Sequence, residues 1–393
     1  PGNATDLTYL IIGYFEHDAA ADVQCTPVAA SPNPPGYTYQ LSHSSYYFID
    51  HVSVTECTAP LVLGHCGEPL LYSQVASQIA ANTDFLVDGQ LVMDVNAILN
   101  NKSIRFTVNG SMYVNPNVQF SLRNSYLRGC DNMWSGIGCT TNSRIEVDNT
   151  TIEDAYTALY LEGVQEFNVK NSVFDLNEVG VVIRNHTAGN YLRQITGTQF
   201  KASTYCKDPY VQFLPKIGVR VLNSSVAPNI GQYFTGINTF TDLKTGVLVE
   251  NSNVSIKNNK FVKIGQDDIN AYAIDLQNPH VFTNTPLRTA SVGGMFDANE
   301  RNIIENSHNG IRAKGHWKTL IYRNQISGVR RGVSLEAGFR ALSNQTSHHV
   351  RMNSIQKART GVNVEGQGLT SAYRIERNTI TNIRGPQKGS IGV

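Results

Sequence analysis

The chain has 393 residues, with 32 Lys and Arg against 31 Asp and Glu, and a formal net charge of +1. This balance gives no support for a nucleic-acid partner, which requires a strongly basic surface. No run of 18 apolar residues predicts a membrane-spanning helix, and the first residues lack the basic start and apolar block of a signal peptide.

The first 57 residues are predicted to contain two β-strands, at 9–12 and 45–54, with turn-forming residues between them. The second strand reads Ser-Tyr-Tyr-Phe-Ile-Asp-His-Val-Ser-Val and resembles a closing strand of a carbohydrate-binding-type β-sandwich. His51 stands where such a sandwich usually has a second Asp. The resemblance implies that residues 1–57 are the end of a β-sandwich, which strands outside this chain would complete.

An asparagine-led phrase returns through the second half of the chain. Each unit reads Asn, a short apolar strand, a turn, and then Gly followed by a second strand, at residues 171–183, 238–249, 324–335, 353–364 and 378–393. The strand-opening apolar residues are Ile152, Phe174, Phe200, Phe240, Phe261, Ile304, Ile326, Ile355 and Ile380. They recur every 21 to 29 residues once two insertions, at 202–216 and 277–294, are set aside. This period predicts a solenoid of eight or nine coils.

Apolar residues alternate within each unit, as at Val247 and Val249, so that one face of each strand is expected to point inward. Apolar residues three and four apart are missing, which disfavours a helical or leucine-rich solenoid. The sequence therefore predicts a parallel β-helix with coils stacked about 4.8 Å apart. The recurring Asn and Gly are expected at its corners, where both tolerate positive φ and stacked Asn side chains can bond from coil to coil.

Residues 86–137 carry a more particular phrase, which opens with Leu-Val-Asp-Gly-Gln-Leu-Val-Met and closes on Met133, Trp134 and a Gly-Ile pair. The chain resembles the right-handed parallel β-helices of the pectate-lyase-like superfamily. Its phrasing is similar to β-helix modules of large proteins that Bacteroidota export through the type IX secretion system. The resemblance implies an all-β chain: a linker or cap at 58–85, then a right-handed parallel β-helix solenoid at 86–393 that is truncated at its C-terminal end.

The same resemblance implies a secreted or cell-surface protein that is part of a larger polypeptide. Its partners would be type IX translocon components during export, and a polysaccharide or a host or cell-surface glycan afterwards. The leading hypothesis is a non-catalytic stalk or adhesin module that binds an anionic glycan. The alternative is a polysaccharide lyase or a glycoside hydrolase that acts on an acidic polysaccharide, since one fold serves both classes.

The six cysteines suit an exported protein with disulfides; they are Cys25, Cys57, Cys66, Cys130, Cys139 and Cys206. Because Cys130 and Cys139 are nine residues apart across a predicted turn, they are predicted to form a disulfide. Six thiols allow 15 complete pairings, so the other partners stay open. No Cys-x-x-Cys or His-rich cluster predicts a metal site.

Basic residues are concentrated near the end of the chain. Residues 301–393 hold 15 Lys and Arg against 4 Asp and Glu, a net charge of +11. When the units are aligned on their turns, one position is occupied by a cation in four units and by His308 nearby in a fifth; the cations are Lys244, Arg330, Arg359 and Arg384. Stacked coils would bring these side chains into a column. The column is interpreted either as a solvated corner or as a binding surface for an anionic glycan.

Residues for catalysis are sparse. Asp267 and Asp268 resemble the Asp-Asp element of polygalacturonase-type hydrolases, which need paired carboxyl groups, but the companion motifs are missing. Lys314 and His316 are the further weak catalytic candidates, because a lyase needs a base, and Ca²⁺ would be its cofactor. Arg312 and Trp317 are candidates to bind sugar, since a sugar ring stacks on Trp while cations hold its carboxylate. The alternative, which is favoured for Trp317, is that its ring is packed under a loop. No catalytic residue and no cofactor is assigned on these grounds.

Overall fold

The computed structural model describes residues 61–64, 69–187, 189, 191–211, 213–232, 236–266, 268–278, 288–295, 297–315, 317–336, 347–365 and 372–383. They belong to one compact unit, Ser53–Val393. The predicted sandwich strands at 9–12 and 45–54 lie outside the described residues. Among those described, no helix has the length and apolar character needed to cross a membrane.

The elements are mostly short strands. In chain order they are β1 (Val62–Leu63), β2 (Pro69–Leu71), α1 (Tyr72–Ala81), β3 (Asp84–Val87), β4 (Gln90–Met93), β5 (Ala97–Asn100), β6 (Ser103–Phe106), β7 (Ser111–Val114), β8 (Gln119–Arg123), β9 (Tyr126–Gly129), β10 (Trp134–Cys139), β11 (Arg144–Asp148), β12 (Thr151–Glu153), β13 (Ala155–Glu162), β14 (Glu166–Lys170), β15 (Val173–Asp175), β16 (Val179–Arg184), β17 (Arg193–Thr196), β18 (Gln199–Lys201), β19 (Ile217–Leu222), β20 (Asn229–Ile230), β21 (Asn238–Thr241), β22 (Thr245–Glu250), β23 (Val254–Ile256), β24 (Asn259–Val262), β25 (Ile274–Asn278), β26 (Arg288–Val292), a 3₁₀ turn (Ala298–Glu300), β27 (Ile303–Glu305), β28 (Asn309–Gly315), β29 (Trp317–Tyr322), β30 (Gln325–Ser327), β31 (Arg331–Glu336), β32 (Ser347–Arg351), β33 (Ser354–Gln356), β34 (Thr360–Glu365), β35 (Ala372–Glu376) and β36 (Thr379–Thr381).

These strands form three parallel sheets that share every coil. Sheet A has 13 strands, from β1 and β3 through every third strand to β36; sheet B has 12, from β2 and β4 to β34; sheet C has 11, from β5 to β35. The chain visits A, B and C in turn and advances by one strand in each sheet per circuit. The result is a parallel β-solenoid of about 11 turns, which confirms the predicted fold class. The predicted number of eight or nine coils is too low, because coils also form before Ile152.

The core is built from columns of identical positions on successive coils. The strand-opening residues predicted from the repeat are direct partners in sheet A, in the order Ile152, Phe174, Phe200, Phe240, Phe261, Ile304, Ile326, Ile355 and Ile380. The four phenylalanine rings stack with centroids 5.0, 4.8 and 4.7 Å apart. Because every coil alone would expose this face, stacking is what buries it.

The recurring glycines of sheet B do not have the positive φ that the sequence pattern suggested. A Cβ on Gly246 would lie 2.5 Å from Cδ1 of Phe261 and 2.6 Å from the carbonyl oxygen of Ala273. At Gly332 it would lie 2.8 Å from Cγ2 of Ile355. These glycines are therefore needed because the core column of sheet A presses against the start of each sheet B strand, and the expectation of a corner conformation is wrong there.

An asparagine ladder runs along the corner where the chain leaves sheet C and enters sheet A. It consists of Asn238, Asn259, Asn302, Asn324, Asn353 and, half-buried at its end, Asn378. Each side-chain amide donates to Oδ1 of the asparagine on the next coil, at 2.9 to 3.0 Å. The predicted coil-to-coil bonding of asparagine is confirmed, and it satisfies polar groups that no water can reach.

A helix occupies the place of the sheet C strand in the first coil. Helix α1 follows β2 of sheet B, precedes β3 of sheet A, and buries Val75 and Ile79. Asp94 accepts hydrogen bonds from the backbone N–H and the hydroxyl of Ser73 at the start of the helix. Burial acts to raise the pKa of Asp94, but these bonds outweigh burial, so that the pKa lies below its ordinary value. Lys102 donates to the carbonyl oxygen of Ile79 near its end. Both charges suit the helix dipole, and Val75 and Ile79 join the apolar interior of the solenoid.

Candidate binding surface at the corner between sheets A and B

The described positions of the predicted cation column stack at the corner where each coil passes from sheet A to sheet B. The backbone N–H of Arg330 donates to the carbonyl of His308 at 2.7 Å, and that of Arg359 donates to the carbonyl of Arg330 at 3.1 Å. Lys244 occupies the same place two coils before His308. The side chains at these positions therefore follow one line along the solenoid, about 4.8 Å apart on adjacent coils.

One coil interrupts the column with an acidic group. The backbone turns at Gly265, and the following loop places Asp268 3.2 Å from Nζ of Lys244. The backbone N–H of Asn270 is the main cause that lowers the pKa of the Asp268 carboxyl, and Lys244 lowers it further against the effect of burial. Asp268 is therefore ionised at neutral pH and neutralises Lys244.

The positive charge of the column is concentrated at its later coils. Burial and the charge of Arg330 lower the pKa of His308, so this imidazole is neutral at pH 7. Within the described part of the chain, neither Arg330 nor Arg359 forms an ion pair. Arg331 donates to the hydroxyl of Tyr272 at 3.1 Å, and this bond raises its pKa. Arg359 and Lys357 are exposed.

Arg312, a predicted binding residue, and Lys314, a weak catalytic candidate, lie on the outer face of sheet B. Arg312 forms a bidentate pair with Asp275, at 2.8 and 2.6 Å, and its guanidinium lies 4.6 Å from the ring centre of Tyr272. The ion pair compensates its charge, so Arg312 is held within the protein instead of being presented to a ligand. Lys314 is on the same strand and pairs in register with Gln277 and Glu336.

Several predictions fall on residues that the structure does not describe. Asp267, His316 and Arg384 lie outside the described residues, and Trp317 is described only as the first residue of β29. The role of each in catalysis or binding stays a prediction. Among the described residues, no three His, Cys, Asp or Glu side chains form a group that could hold a metal ion.

The predicted disulfide between Cys130 and Cys139 is wrong. Cys139 is a free, buried thiol on β10, paired in register with Val114 and Leu161 of the adjacent coils. Its side chain is part of the apolar interior, and burial raises its pKa far above the ordinary value. The alternation of Ile137 and Cys139 in the sequence already carried this signal, because residues two apart in a strand face the same side.

A pocket that the sequence did not predict adjoins the first cation of the column. The 202–216 insertion, treated as a bare loop in the repeat, folds over this corner and encloses a volume of about 380 Å³ with the turns of the next coils. The pocket is lined by Tyr205, Phe213, Leu214, Lys216, Leu243, Lys244, Gly265, Gln266 and Asp268. The pocket adjoins the cation column, because Lys244 belongs to both.

A buried histidine in the last coils predicts acid sensitivity. His348 is 1% exposed; its Nδ1 lies 2.8 Å from Oγ1 of Thr319, and its ring stacks on Tyr373. Burial, reinforced by the charge of His349, lowers its pKa to about 4. Since an unfolded histidine titrates near 6.5, the unfolded chain binds this proton first.

The contribution of His348 to the free energy of unfolding is therefore fully present above about pH 6.5. It is lost as the pH drops towards 4, and the loss from His348 alone is about 3 kcal/mol. Urea unfolding at pH 7 and pH 4.5, followed by hydrogen exchange in β29 to β35, should show a smaller acid loss in the His348→Gln variant than in the wild type. The comparison variant is His349→Gln. The side chain of His349 is half-buried on the other side of the same strand, so this variant should reduce the acid loss by less. Equal acid losses in all three proteins would contradict this assignment.

No protein-family model, no curated protein and no solved structure matches the chain. The case for a function therefore rests on the geometry and charge of the surface at the corner between sheets A and B.

Proposed function

We propose that the solenoid is a non-catalytic binding module for an anionic polymer, with an acidic glycan as the ligand. The observation that carries this proposal is the column at the corner between sheets A and B. Arg330 and Arg359 follow each other on adjacent coils there, and neither forms an ion pair with a described residue. An acidic glycan laid along the solenoid axis would meet these two cations on adjacent coils.

Electrostatics favour an external counter-ion at this place. Two unit charges about 5 Å apart repel by about 0.8 kcal/mol in water, and by more beside a low-dielectric core. A polymer with regularly spaced carboxylates or sulfates relieves this repulsion at successive positions, and guanidinium groups bind such anions in bidentate fashion. A solvated corner without a ligand would leave the repulsion in place.

The enzymatic alternative finds less support in the same residues. A hydrolase needs one carboxyl group that is protonated near neutral pH, whereas the pKa of Asp268 is lowered. Asp268 is also 3.2 Å from Lys244, so each neutralises the other, and neither is poised as an acid or a base. A polysaccharide lyase or hydrolase therefore remains the second candidate.

The biological setting is part of the proposal. The resemblance to β-helix modules exported by the type IX system of Bacteroidota suggests a stalk or adhesin region at the cell surface. Translocon components would then be transient partners, and a host or cell-surface glycan the lasting one. The sequence of the full-length gene product tests this setting, because a C-terminal sorting domain or further adhesive repeats would support it, and a cytoplasmic enzyme architecture would contradict it.

Retention on immobilised polygalacturonate tests the binding function. We expect that Arg330→Ala combined with Arg359→Ala weakens affinity about tenfold at low salt, since loss of two charge contacts costs about 1 to 2 kcal/mol. The matched control is Arg128→Ala combined with Arg144→Ala, which removes the same charge from exposed residues on other faces. Equal weakening in both double variants would show that retention depends only on net charge, and it would contradict a specific binding surface.

Turnover must be assayed beside binding. The wild type is incubated with polygalacturonate, alginate and glycosaminoglycans, with and without Ca²⁺, while new unsaturated ends and reducing ends are followed. We expect no product above the level of a boiled sample. Product formation that is lost in Asp268→Ala or Lys314→Ala would replace the binding function with the enzymatic one.

A further inference from the structure

We propose that the pocket under the 202–216 loop binds a single neutral pyranose ring. This inference rests on the proposed function in one respect: the pocket joins the cation column, so that one glycan could engage both. The geometry assigns the two parts different chemistry. The column selects negative charge, and the pocket selects the apolar face and the hydroxyl groups of a sugar.

Two aromatic side chains give the pocket its sugar-binding character. Tyr205 and Phe213 both line it, yet they are 60% and 62% exposed. Aromatic side chains of this size normally bury most of their area, because an exposed ring forfeits its hydrophobic stabilisation. Buried Leu243 and half-buried Leu214 continue the apolar surface towards the core. A pyranose ring has one face of C–H groups that packs on such a surface.

The loop that carries the aromatic residues is firmly anchored. Nζ of Lys207 lies 2.9 Å from Oδ2 of Asp154 and donates to the carbonyl oxygen of Gly129, also at 2.9 Å. Asp154 is almost fully buried, and burial raises its pKa, with Lys207 acting in the opposite direction. The backbone N–H of Cys206 donates to the carbonyl oxygen of Phe213, so the two sides of the loop are joined beside the rings. The aromatic residues are therefore held in place before any ligand binds.

The charges around the pocket cancel in pairs. Lys216 is paired with Glu178, and Lys244 with Asp268 at 3.2 Å. No net charge remains to select a carboxylate, whereas lysine ammonium groups and carboxylate oxygens are good partners for sugar hydroxyls. Gln266 is oriented by a 2.6 Å bond from its side-chain amide to the carbonyl of Asn306, which leaves a fixed amide at the rim.

The size of the pocket limits the ligand. A volume of about 380 Å³ is at the lower end of the range for small-molecule sites, which is about 300 to 1,000 Å³. It therefore suits one ring of a glycan, with the rest of the chain continuing towards Arg330 and Arg359. A glycan that carries neutral sugars beside acidic ones matches both parts of the surface.

Saturation-transfer NMR on the full chain tests this proposal. The probes are D-glucose, D-galactose, D-mannose and N-acetyl-D-glucosamine, with D-galacturonate and D-glucuronate as acidic comparisons, each at 150 and 500 mM NaCl. We expect at least one neutral sugar to receive saturation at both salt concentrations, and Phe213→Ala and Tyr205→Ala each to reduce the signal at least fivefold. Tyr191→Ala, an exposed tyrosine at another corner, should leave it unchanged.

The outcomes separate this site from the proposed function. Failure of all four neutral sugars to bind, an equal signal in Phe213→Ala, or stronger binding of the acidic sugars that salt abolishes would each overturn the neutral-sugar pocket. Retention on polygalacturonate should depend on Arg330 and Arg359 and not on Phe213. The monosaccharide signal should show the opposite dependence, so either part can fail while the other stands.

Discussion

Gly246→Ala is expected to lose about 3 kcal/mol or more of stability, although it adds one methyl group. The new Cβ would lie 2.5 Å from Cδ1 of Phe261 and 2.6 Å from the carbonyl oxygen of Ala273. Overpacking of a filled core costs about 1 to 3 kcal/mol, and here one of the two obstacles is backbone that cannot rotate away. The ring of Phe261 is also held by its stack on Phe240.

Urea unfolding measures this effect, and hydrogen exchange locates it. Because a solenoid can unfold by segments, we expect exchange to accelerate first in β21 to β25, the strands around the altered coils. Gly138→Ala is the control: it lies on β10 of the same sheet, and its Cβ would meet only the ring of Tyr113 at 3.4 Å. Equal stability of the two alanine variants would show that the contact with Phe261 does not require glycine.

The sequence predicted the fold because its signal is repeated. Every apolar position from Ile152 to Ile380 that opened a predicted strand is paired in register with its neighbours in sheet A. A single strand of three residues carries almost no information, but the same strand read nine times does. The alternation of apolar and polar residues also predicted which face of each strand points inward, because this alternation can be read within a single strand.

Corner residues were harder to assign, because two asparagine positions lie side by side. Asn124, Asn149 and Asn171 have positive φ and stand one residue before the ladder position, where Asn238 and the later asparagines lie. The repeated phrase aligned Asn171 with Asn238 although they differ by one residue in the coil. The position of Asn171 requires a left-handed backbone, and the position of Asn238 requires a buried amide. Asparagine is suited to both, so the sequence does not distinguish them.

The surface was only partly predictable for a different reason. The cation column follows from the period alone, so Lys244, Arg330 and Arg359 could be placed together. The pocket depends on how the 202–216 insertion folds back. The ion pair between Lys207 and Asp154, which are 53 residues apart in the chain, holds the insertion in this position. No local pattern records a contact of that kind. The neutralisation of Arg312 by Asp275 was missed for the same reason, as the two residues are 37 positions apart.

Replacing one rung of the asparagine ladder is the second change with a large expected effect. Asn302 is fully buried and takes part in four hydrogen bonds: its amide donates to Ile256 O and Asn324 Oδ1, and its Oδ1 accepts from the backbone and side chain of Asn259. Asn302→Leu keeps the volume but removes all four. Each group left without a partner costs about 1 to 3 kcal/mol, so we expect a loss of about 4 kcal/mol or more.

The ladder should also transmit this damage in one dimension. Each asparagine amide is oriented by the rungs on both sides, so Asn302→Leu should expose amides of the adjacent coils, β24 to β30, before those of β6 to β12. Hydrogen exchange resolves the two regions. The control is Asn168→Leu on the outer face of sheet C, which removes one half-buried hydrogen bond from Gln194 and should change stability by about 1 kcal/mol or less. If Asn302→Leu is as stable as Asn168→Leu, the asparagine ladder does not stabilise the solenoid, and the spacing of the coils must be set by the apolar columns alone.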